Sequence, residues 1–529
     1  MLFHTWPFLI FMLVVLPVYY ALRRTSLWIP WLLAASYFFY GWWNPYYLLL
    51  VVYSTALDYL LVAFMDHCPP AGAGGRVEWK RGPTDPWLRC SAVVALGLAL
   101  SFAGFSFVAG SWRAAVLLLA ALVFLMALGA WLASRRIWLI ISLVNNLTLL
   151  LFFKYARFVV ENVNALFAAG HLRLHLADPS MLMPHGLAYV LPVGISFFTF
   201  QSMSYTIDFY LGRAERERDF LRFATFVCFF PQLMAGPIER ARQMLPQFKQ
   251  PPPVSVAHVT DGLSLFLTGL FKKVALANYL APFVDKVYDN PDACDATSLT
   301  LATVAFAWQI FFDFSGYTDM ARGIAKVLGF ELMLNFNNPY MAAGLGEFWS
   351  RWHISLSTWF RDYLYIPLGG NRGGAAQTYR NLLIVFLVSG IWHGAAWTYA
   401  IWGLLHAAGV LLTRELERST FYREKVPRLA KQAWVFCYVC FAWIFFRAAS
   451  VADAWLIVRR IGGAAWKTPQ IPALMLALVV AVWTYQWLYE SRFRSALAWP
   501  PLRVACAVGM MLYLGFCTSG GQAFIYFQF

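Results

Sequence analysis

Apolar runs, most of them about twenty residues long, recur along this chain and are separated by short clusters of charge, proline and glycine. They occupy residues 1–22, 90–109, 113–133, 137–153, 260–282, 295–312, 433–446, 471–489 and 502–518. Crossing the hydrocarbon core of a bilayer takes roughly 20 apolar residues, so the pattern predicts repeated membrane crossings by α-helices. Residues 381–412 form a longer run interrupted by Ser-Gly-Ile-Trp-His-Gly, long for one helix and short for two. Irregular backbone at membrane depth survives only where protein covers it, which predicts a kinked or re-entrant pair there. The fold class expected is all-α: a polytopic transmembrane protein of about 11–14 membrane segments, re-entrant ones included, with interfacial amphipathic helices and a central tunnel.

The polar intervals orient the chain. Arg23 and Arg24 follow the first run, which lacks the basic start and small-residue cleavage site of a secretory signal. The positive-inside tendency places those arginines, and the basic loops at 75–89, 134–136, 212–222 and 414–431, on the cytoplasmic side. Residues 284–298 are poor in arginine and lysine and suit the opposite side. Composition agrees: the 529 residues are 60% hydrophobic and 13% charged, with mean hydropathy +0.59, against about 25% charged in a soluble domain. The net charge of +15 then reflects cytoplasmic loops on an anionic leaflet rather than nucleic-acid binding. The eight cysteines are scattered, and Cys437 and Cys440 lie one turn apart in an apolar run. Neither a disulfide framework nor a metal site follows from them. The expected divisions are N-terminal helices (1–65), an inserted basic loop with two extra spans (66–136), a core (137–446) and C-terminal helices (447–529).

Candidate chemistry concentrates where polar residues interrupt this pattern. "FWSRWHISLSTWFRDYLYIPLGGNRGG" (348–374), wound as one helix, puts Trp349, Trp352, Leu356, Trp359, Phe360 and Tyr363 on one face. Arg351, Ser355, Thr358 and Asp362 fall opposite, which predicts an amphipathic helix in the interface plane. His353 sits at the apolar edge, directed toward the membrane body. The glycine turn after it, with Asn371 and Arg372, offers backbone N–H groups that suit a phosphate or an ordinary turn. Forty positions on, His393 lies inside an apolar run, where an ionisable group marks either a functional cavity or a packed, hydrogen-bonded histidine. His406 reads as packed. His171 and His175 have the spacing of metal ligands on a helix, but two ligands alone do not make a site. Upstream, Asp313 and Ser315 stand among phenylalanines, and Asp319 and Arg322 have i,i+3 spacing. A mid-membrane histidine behind a cytoplasmic vestibule suits acyl transfer, where imidazole removes a proton. It equally suits a proton-coupled transporter.

"FWSRWHISLSTWFRDYLYIPLGGNRGG" followed by "SGIWHGAAW" resembles the signature of the membrane-bound O-acyltransferase (MBOAT) family, in the bacterial branch concerned with alginate O-acetylation. "ASYFFYGWWNPYYLLLVVYSTALDYL", "LFFKY", "LPVGISFFTFQSMSYTIDFY", "FFPQLMAGPIERARQMLPQF", "FDFSGYTDMARGIAKVLGF" and the closing "FIYFQF" continue the likeness over nearly the whole chain. The resemblance implies an acyltransferase whose catalytic histidines match His393, as general base, and His353, as orienter or second acid/base. Arg351, Asp362, Asn371, Arg372, Asp313 and Ser315 would shape the donor mouth, with no metal. It further implies transfer of an acyl group, acetyl in this branch, from a cytoplasmic thioester such as acetyl-CoA, with no permanently bound cofactor. The implied partners are a periplasmic SGNH-type acetyltransferase and other polysaccharide acetylation or secretion proteins, in the bacterial inner membrane. A D-alanine-transfer protein of Gram-positive bacteria is a cousin with the same two-histidine layout. The insertion between "ALDYLL" and "LFFKY" departs from the branch and leaves the acceptor polymer open between alginate, cellulose and others. A flippase of acylated precursor and a non-catalytic scaffold of a secretion complex are the competing expectations.

Overall fold

The structure, a computed structural model, describes residues 1–68, 134–183, 188–463, 473–497 and 499–516. The expected spans at 90–109 and 113–133, the basic loop 75–89 and the closing "FIYFQF" lie outside them. The described chain divides into two compact units. The first comprises Met1 with residues 7–234 and 238–253; the second comprises residues 2–6, 235–237 and 254 onward.

Helices carry both units, because long apolar segments can satisfy their backbone groups internally only by coiling. In the first unit run α1 (Trp6–Leu22, its first residue counted with the second unit), α2 (Trp28–Gly41), α3 (Pro45–Asp66), α4 (Arg135–Ala169), α5 (Ile195–Tyr210) and α6 (Phe220–Cys228). In the second are α7 (Val256–Tyr288), α8 (Ala296–Leu328), α9 (Leu345–Arg351), α10 (Ile354–Phe360), α11 (Gly374–His393) and α12 (Trp397–Leu416). There follow α13 (Arg428–Arg447), α14 (Val451–Gly462), α15 (Ala473–Glu490) and α16 (Pro500–Phe516). Among the described residues six helices are long and apolar enough to cross a membrane: α3, α4, α7, α8, α13 and α15. The protein is a multi-pass membrane protein.

The first unit is tied together by one carboxylate. Asp58 of α3, fully buried, accepts hydrogen bonds from Ser142 Oγ (2.6 Å) and Asn146 Nδ2 (2.9 Å) of α4 and from Ser202 Oγ of α5. Ser54 donates to the other end of the Asn146 amide at 3.0 Å. Polar side chains of this kind glue helices where water is absent.

The second unit is organised by α8, most of which is buried. The expected span ending at residue 312 continues unbroken to Leu328, so Asp313, Ser315, Tyr317 and Asp319 are interior positions of one helix. Gly329, at φ 94°, closes the helix in the left-handed region that glycine reaches without strain. Antiparallel α7 touches α8 backbone to backbone at two glycine pairs. A methyl group on Gly269 would stand 2.5 Å from the Gly316 carbonyl oxygen, and one on Gly262 would stand 2.7 Å from that of Gly323. One π-helical turn, Lys272–Ala277, interrupts α7 and directs the Lys273 ammonium onto the Asp313 carboxylate, both buried. The long run at 381–412 is two full helices, α11 and α12, crossing at Gly390 and Gly403. Glycine there lets the backbones approach closely, as membrane helix pairs require.

Candidate active site

The segment expected as one amphipathic helix is three pieces. α9 ends at Arg351, α10 begins at Ile354, and a π-helical turn covers Arg361–Tyr365. The break falls on His353, at φ 43° and ψ 54°. A non-glycine residue in this left-handed region costs about 1–3 kcal/mol and persists only where its surroundings fix it. Asn335 does the fixing. Its backbone oxygen accepts from the Ile354 N–H at 2.9 Å, and its side-chain oxygen accepts from Ser355 N (3.2 Å) and Ser355 Oγ (2.9 Å). Ser355, expected on a polar outer face, is thus buried with its partner. Of the residues expected on one polar face, Ser355 alone meets this asparagine, because the break at His353 puts Arg351 on a separate helix.

The same oxygen sets the chemistry of His353. Asn335 Oδ1 lies 3.1 Å from His353 Nδ1. A backbone N–H can only donate, so the atom receiving Ser355 N is the amide oxygen, and His353 Nδ1 must carry the proton. Nε2 is left with its lone pair. The ring is fully buried, 4.7 Å from Phe314 edge-on and 6.2 Å from Trp392. Burial pushes its pKa from the ordinary histidine value down to about 3, so the imidazole is neutral at any physiological pH.

His393 is the last residue of α11, buried in a box of rings. Trp392 and Trp402 stand 5.0 Å away and Phe446 5.5 Å away, all near edge-on. The Trp392 indole therefore touches both imidazoles, and the two histidines that sequence singled out share one wall. The carbonyl groups at a helix C-terminus favour positive charge nearby, so a proton taken up by His393 is met by the end of α11. Gly394 is obligatory for the turn that follows, since a methyl group there would overlap the Tyr399 ring at 2.1 Å.

The other expected site residues are not brought to these rings. Arg351 is a strut: it pairs with Glu347 at 2.8 Å, with Glu490 of α15, and donates to the Asn337 carbonyl at 3.3 Å. Asp362 pairs with its neighbour Arg361 at 2.8 Å. Asn371 and Arg372 are exposed in the turn after residue 366. The N–H groups of Leu368, Gly369 and Gly370 bond the carbonyls of Leu364, Ile366 and Tyr365, and that of Arg372 bonds Gly369, which fits the ordinary-turn alternative. Asp313 is held by Lys273, and Ser315 is buried beside it with its hydroxyl unbonded. Asp319 lies 3.8 Å from Arg322 as spaced, but pairs more closely with Lys272, at 2.6 Å. His171 and His175 are exposed and outside any helix, and among the described residues no three metal-ligating side chains cluster. Asn335 is the residue that sequence reasoning missed. Its signal is the first amide of "ELMLNFNNPY", eighteen positions before the histidine it orients.

A family model described as MBOAT, the membrane-bound O-acyltransferase family, matches residues 193–452, a span that contains Asn335, His353 and His393. A probable alginate O-acetylase of Azotobacter vinelandii is 38% identical over 384 residues, covering 70% of this chain and 74% of that one. The chain belongs to the membrane-bound O-acyltransferase family. A peptidoglycan O-acetyltransferase of Helicobacter pylori is 38% identical over 358 residues, covering 63% of this chain and 66% of its own length. A teichoic acid D-alanyltransferase of Bacillus subtilis is a more distant MBOAT relative, 27% identical over 50% of this chain and 70% of its own. The protein is thus an MBOAT acyltransferase.

Proposed function

We propose that this acyltransferase takes an acetyl group from a cytoplasmic thioester such as acetyl-CoA and delivers it toward polysaccharide hydroxyls outside the bacterial inner membrane. A periplasmic SGNH-type acetyltransferase completes the transfer. The pairing of His353 and His393 on one buried indole supports this reading most strongly. The alginate and peptidoglycan relatives, equally similar, support an acetyl group and a carbohydrate acceptor without choosing between polymers.

His393 acts as the base. As the attacking hydroxyl oxygen bonds to the acyl carbon, its proton passes to the imidazole, whose new charge the C-terminal end of α11 favours. The carbonyl π electrons move onto oxygen. When they return, the C–S bond breaks and the thiolate leaves with the proton His393 held. His353, which burial holds neutral, orients: its Nε2 lone pair accepts a hydrogen bond from a substrate N–H or O–H. Asn335 keeps that lone pair in place.

The test is O-acetyl content of the exopolysaccharide and peptidoglycan fractions in cells lacking the gene, complemented at matched membrane abundance. His393→Ala is expected to return O-acetyl to the level of the deletion while polymer secretion continues. Unchanged acetylation would make His393 a packing residue and return the transporter and scaffold readings to the front.

A further inference from the structure

His406 of α12 was expected to be a packed histidine, and its surroundings are indeed rings: Trp402 at 4.8 Å, Trp349 at 4.9 Å, Phe348 at 6.0 Å and Trp443 at 6.3 Å. One hydrogen bond changes its meaning. The Trp349 indole N–H donates to His406 Nδ1 at 3.2 Å. An indole nitrogen never accepts, so Nδ1 must hold a lone pair and the ring is neutral, with its proton on Nε2. This tautomer is the reverse of that at His353. His406 Nε2 is buried and bonds to nothing in the protein, and the same is true of the indole Nε1 atoms of Trp402 and Trp443. Trp402 stacks on Trp443 at 5.8 Å and meets the His393 ring at 5.0 Å. Three N–H donors without acceptors thus occupy neighbouring rings, and one of them, Trp402, meets the proposed base. A buried unpaired donor is costly, and one kept in a native protein needs a reason: a ligand, chemistry or an ordered water that uses it.

We propose that His406 Nε2–H and Trp402 Nε1–H form the oxyanion-holding wall of the acyl-transfer site, donating to the carbonyl oxygen of the thioester's acyl group. This rests on the acyltransferase mechanism above. As the acceptor oxygen bonds to the acyl carbon, the carbonyl electron pair becomes an oxyanion, and fixed donors in a dry site stabilise that charge with no reorganisation. Collapse restores the carbonyl as the C–S bond breaks, and the thiolate takes its proton from His393. Neither donor gains or loses a proton. The Trp349 bond keeps His406 in the donating tautomer, which makes Trp349 a positioning residue.

The experiment is steady-state release of free thiol from acetyl-CoA by the purified full chain in lipid nanodiscs, with a carbohydrate acceptor and, where needed, the partner acetyltransferase. The variants are Trp402→Phe, which deletes one N–H and keeps a ring, His406→Phe, and His406→Asn, which can still accept from Trp349 and donate. Trp402→Phe and His406→Phe are expected to lower kcat by about 10²-fold, the usual cost of one oxyanion donor. KM should change by less than about twofold and the pH profile should not move, with His406→Asn recovering much of the rate. Should His406→Phe fail to fold, Trp402→Phe decides. Folded variants with wild-type kcat, or losses confined to KM, would overturn the donor wall while leaving the base assignment standing. Wild-type protein that releases no thiol under any acceptor, while His393→Ala cells stay acetylated, would remove the mechanism and this inference together.

Discussion

Two buried polar sites in this protein are built from opposite principles. In the first unit, Asp58 receives donors from Ser142, Asn146 and Ser202, and the asparagine amide is itself engaged at both ends. In the second, His353, His393 and His406 sit among aromatic rings, and hydrogen-bonding capacity is left over at Ser315, Trp402, Trp443 and His406. A fully satisfied network contributes rigidity and helix registry. A site with unspent donors and lone pairs costs stability, and substrate is what can use them. On the proposed reading, the Asp58 network holds the fold and the ring-lined histidines do the chemistry, although both would be scored alike as polar residues in apolar sequence.

The largest effect that sharpens this contrast concerns the charges of the second unit. Lys273→Met removes the buried cation that faces the Asp313 carboxylate and should cost about 3–5 kcal/mol, whereas removing both charges is far milder. Lys273→Met is therefore expected to lower the melting temperature of the detergent-solubilised protein strongly, and the Lys273→Met/Asp313→Leu double variant to regain most of it. A double variant no more stable than Lys273→Met would show that the lost ion pair is not what destabilises the single variant. Next, Asp58→Ala leaves three donors unmatched, a loss of about 3 kcal/mol, with acyl transfer per folded molecule unchanged. A Asp58→Ala protein that stays stable but loses activity would break the comparison, since the network would then be chemical.

Asn335→Ala should behave the other way. It frees the His353 tautomer and removes the support of a left-handed backbone, lowering kcat about tenfold, equivalent to ~1.4 kcal/mol. Asn335→Asp keeps an acceptor for Nδ1 and should lose less; identical losses in both variants would point to packing alone. The smallest effect is on pH. The folded His353 stays neutral down to about pH 3, whereas the unfolded ring binds a proton below its ordinary value of about 6.5. Between those limits the unfolded state holds more protons, so stability rises with pH and is lost as pH falls below about 6.5. His353→Gln should flatten that slope in thermal melts between pH 5 and 7, and an unaltered slope would show that other groups set it.

Much of this was legible in the chain. Repeated apolar runs gave the helical membrane class; His393 stood out because an ionisable group at membrane depth needs a reason, and His353 as a misfit at the apolar edge of its segment. The seven-residue spacing of Gly262 and Gly269, matched by Gly316 and Gly323, was also there to be seen. Asn335 was not, because an amide before a turn looks like turn chemistry until the chain folds back to place it under His353. The partners of Arg351, Asp362, Asn371 and Arg372 were not legible either: the chain break at residue 353 leaves them against Glu347, Glu490, Arg361 and solvent.

What the sequence determined by itself are properties that add up residue by residue: apolar length, charge balance along the loops, and the order of motifs that places the chain in its family. What only the tertiary structure decided depends on which atom meets which. The one-helix pattern at 348–366 broke because three bonds to Asn335 outweigh the cost of a left-handed histidine. Two histidines acquired opposite tautomers because one faces an amide oxygen and the other an indole N–H. A proton's place on an imidazole is fixed by its partner across space, and no periodicity along the chain encodes that partner.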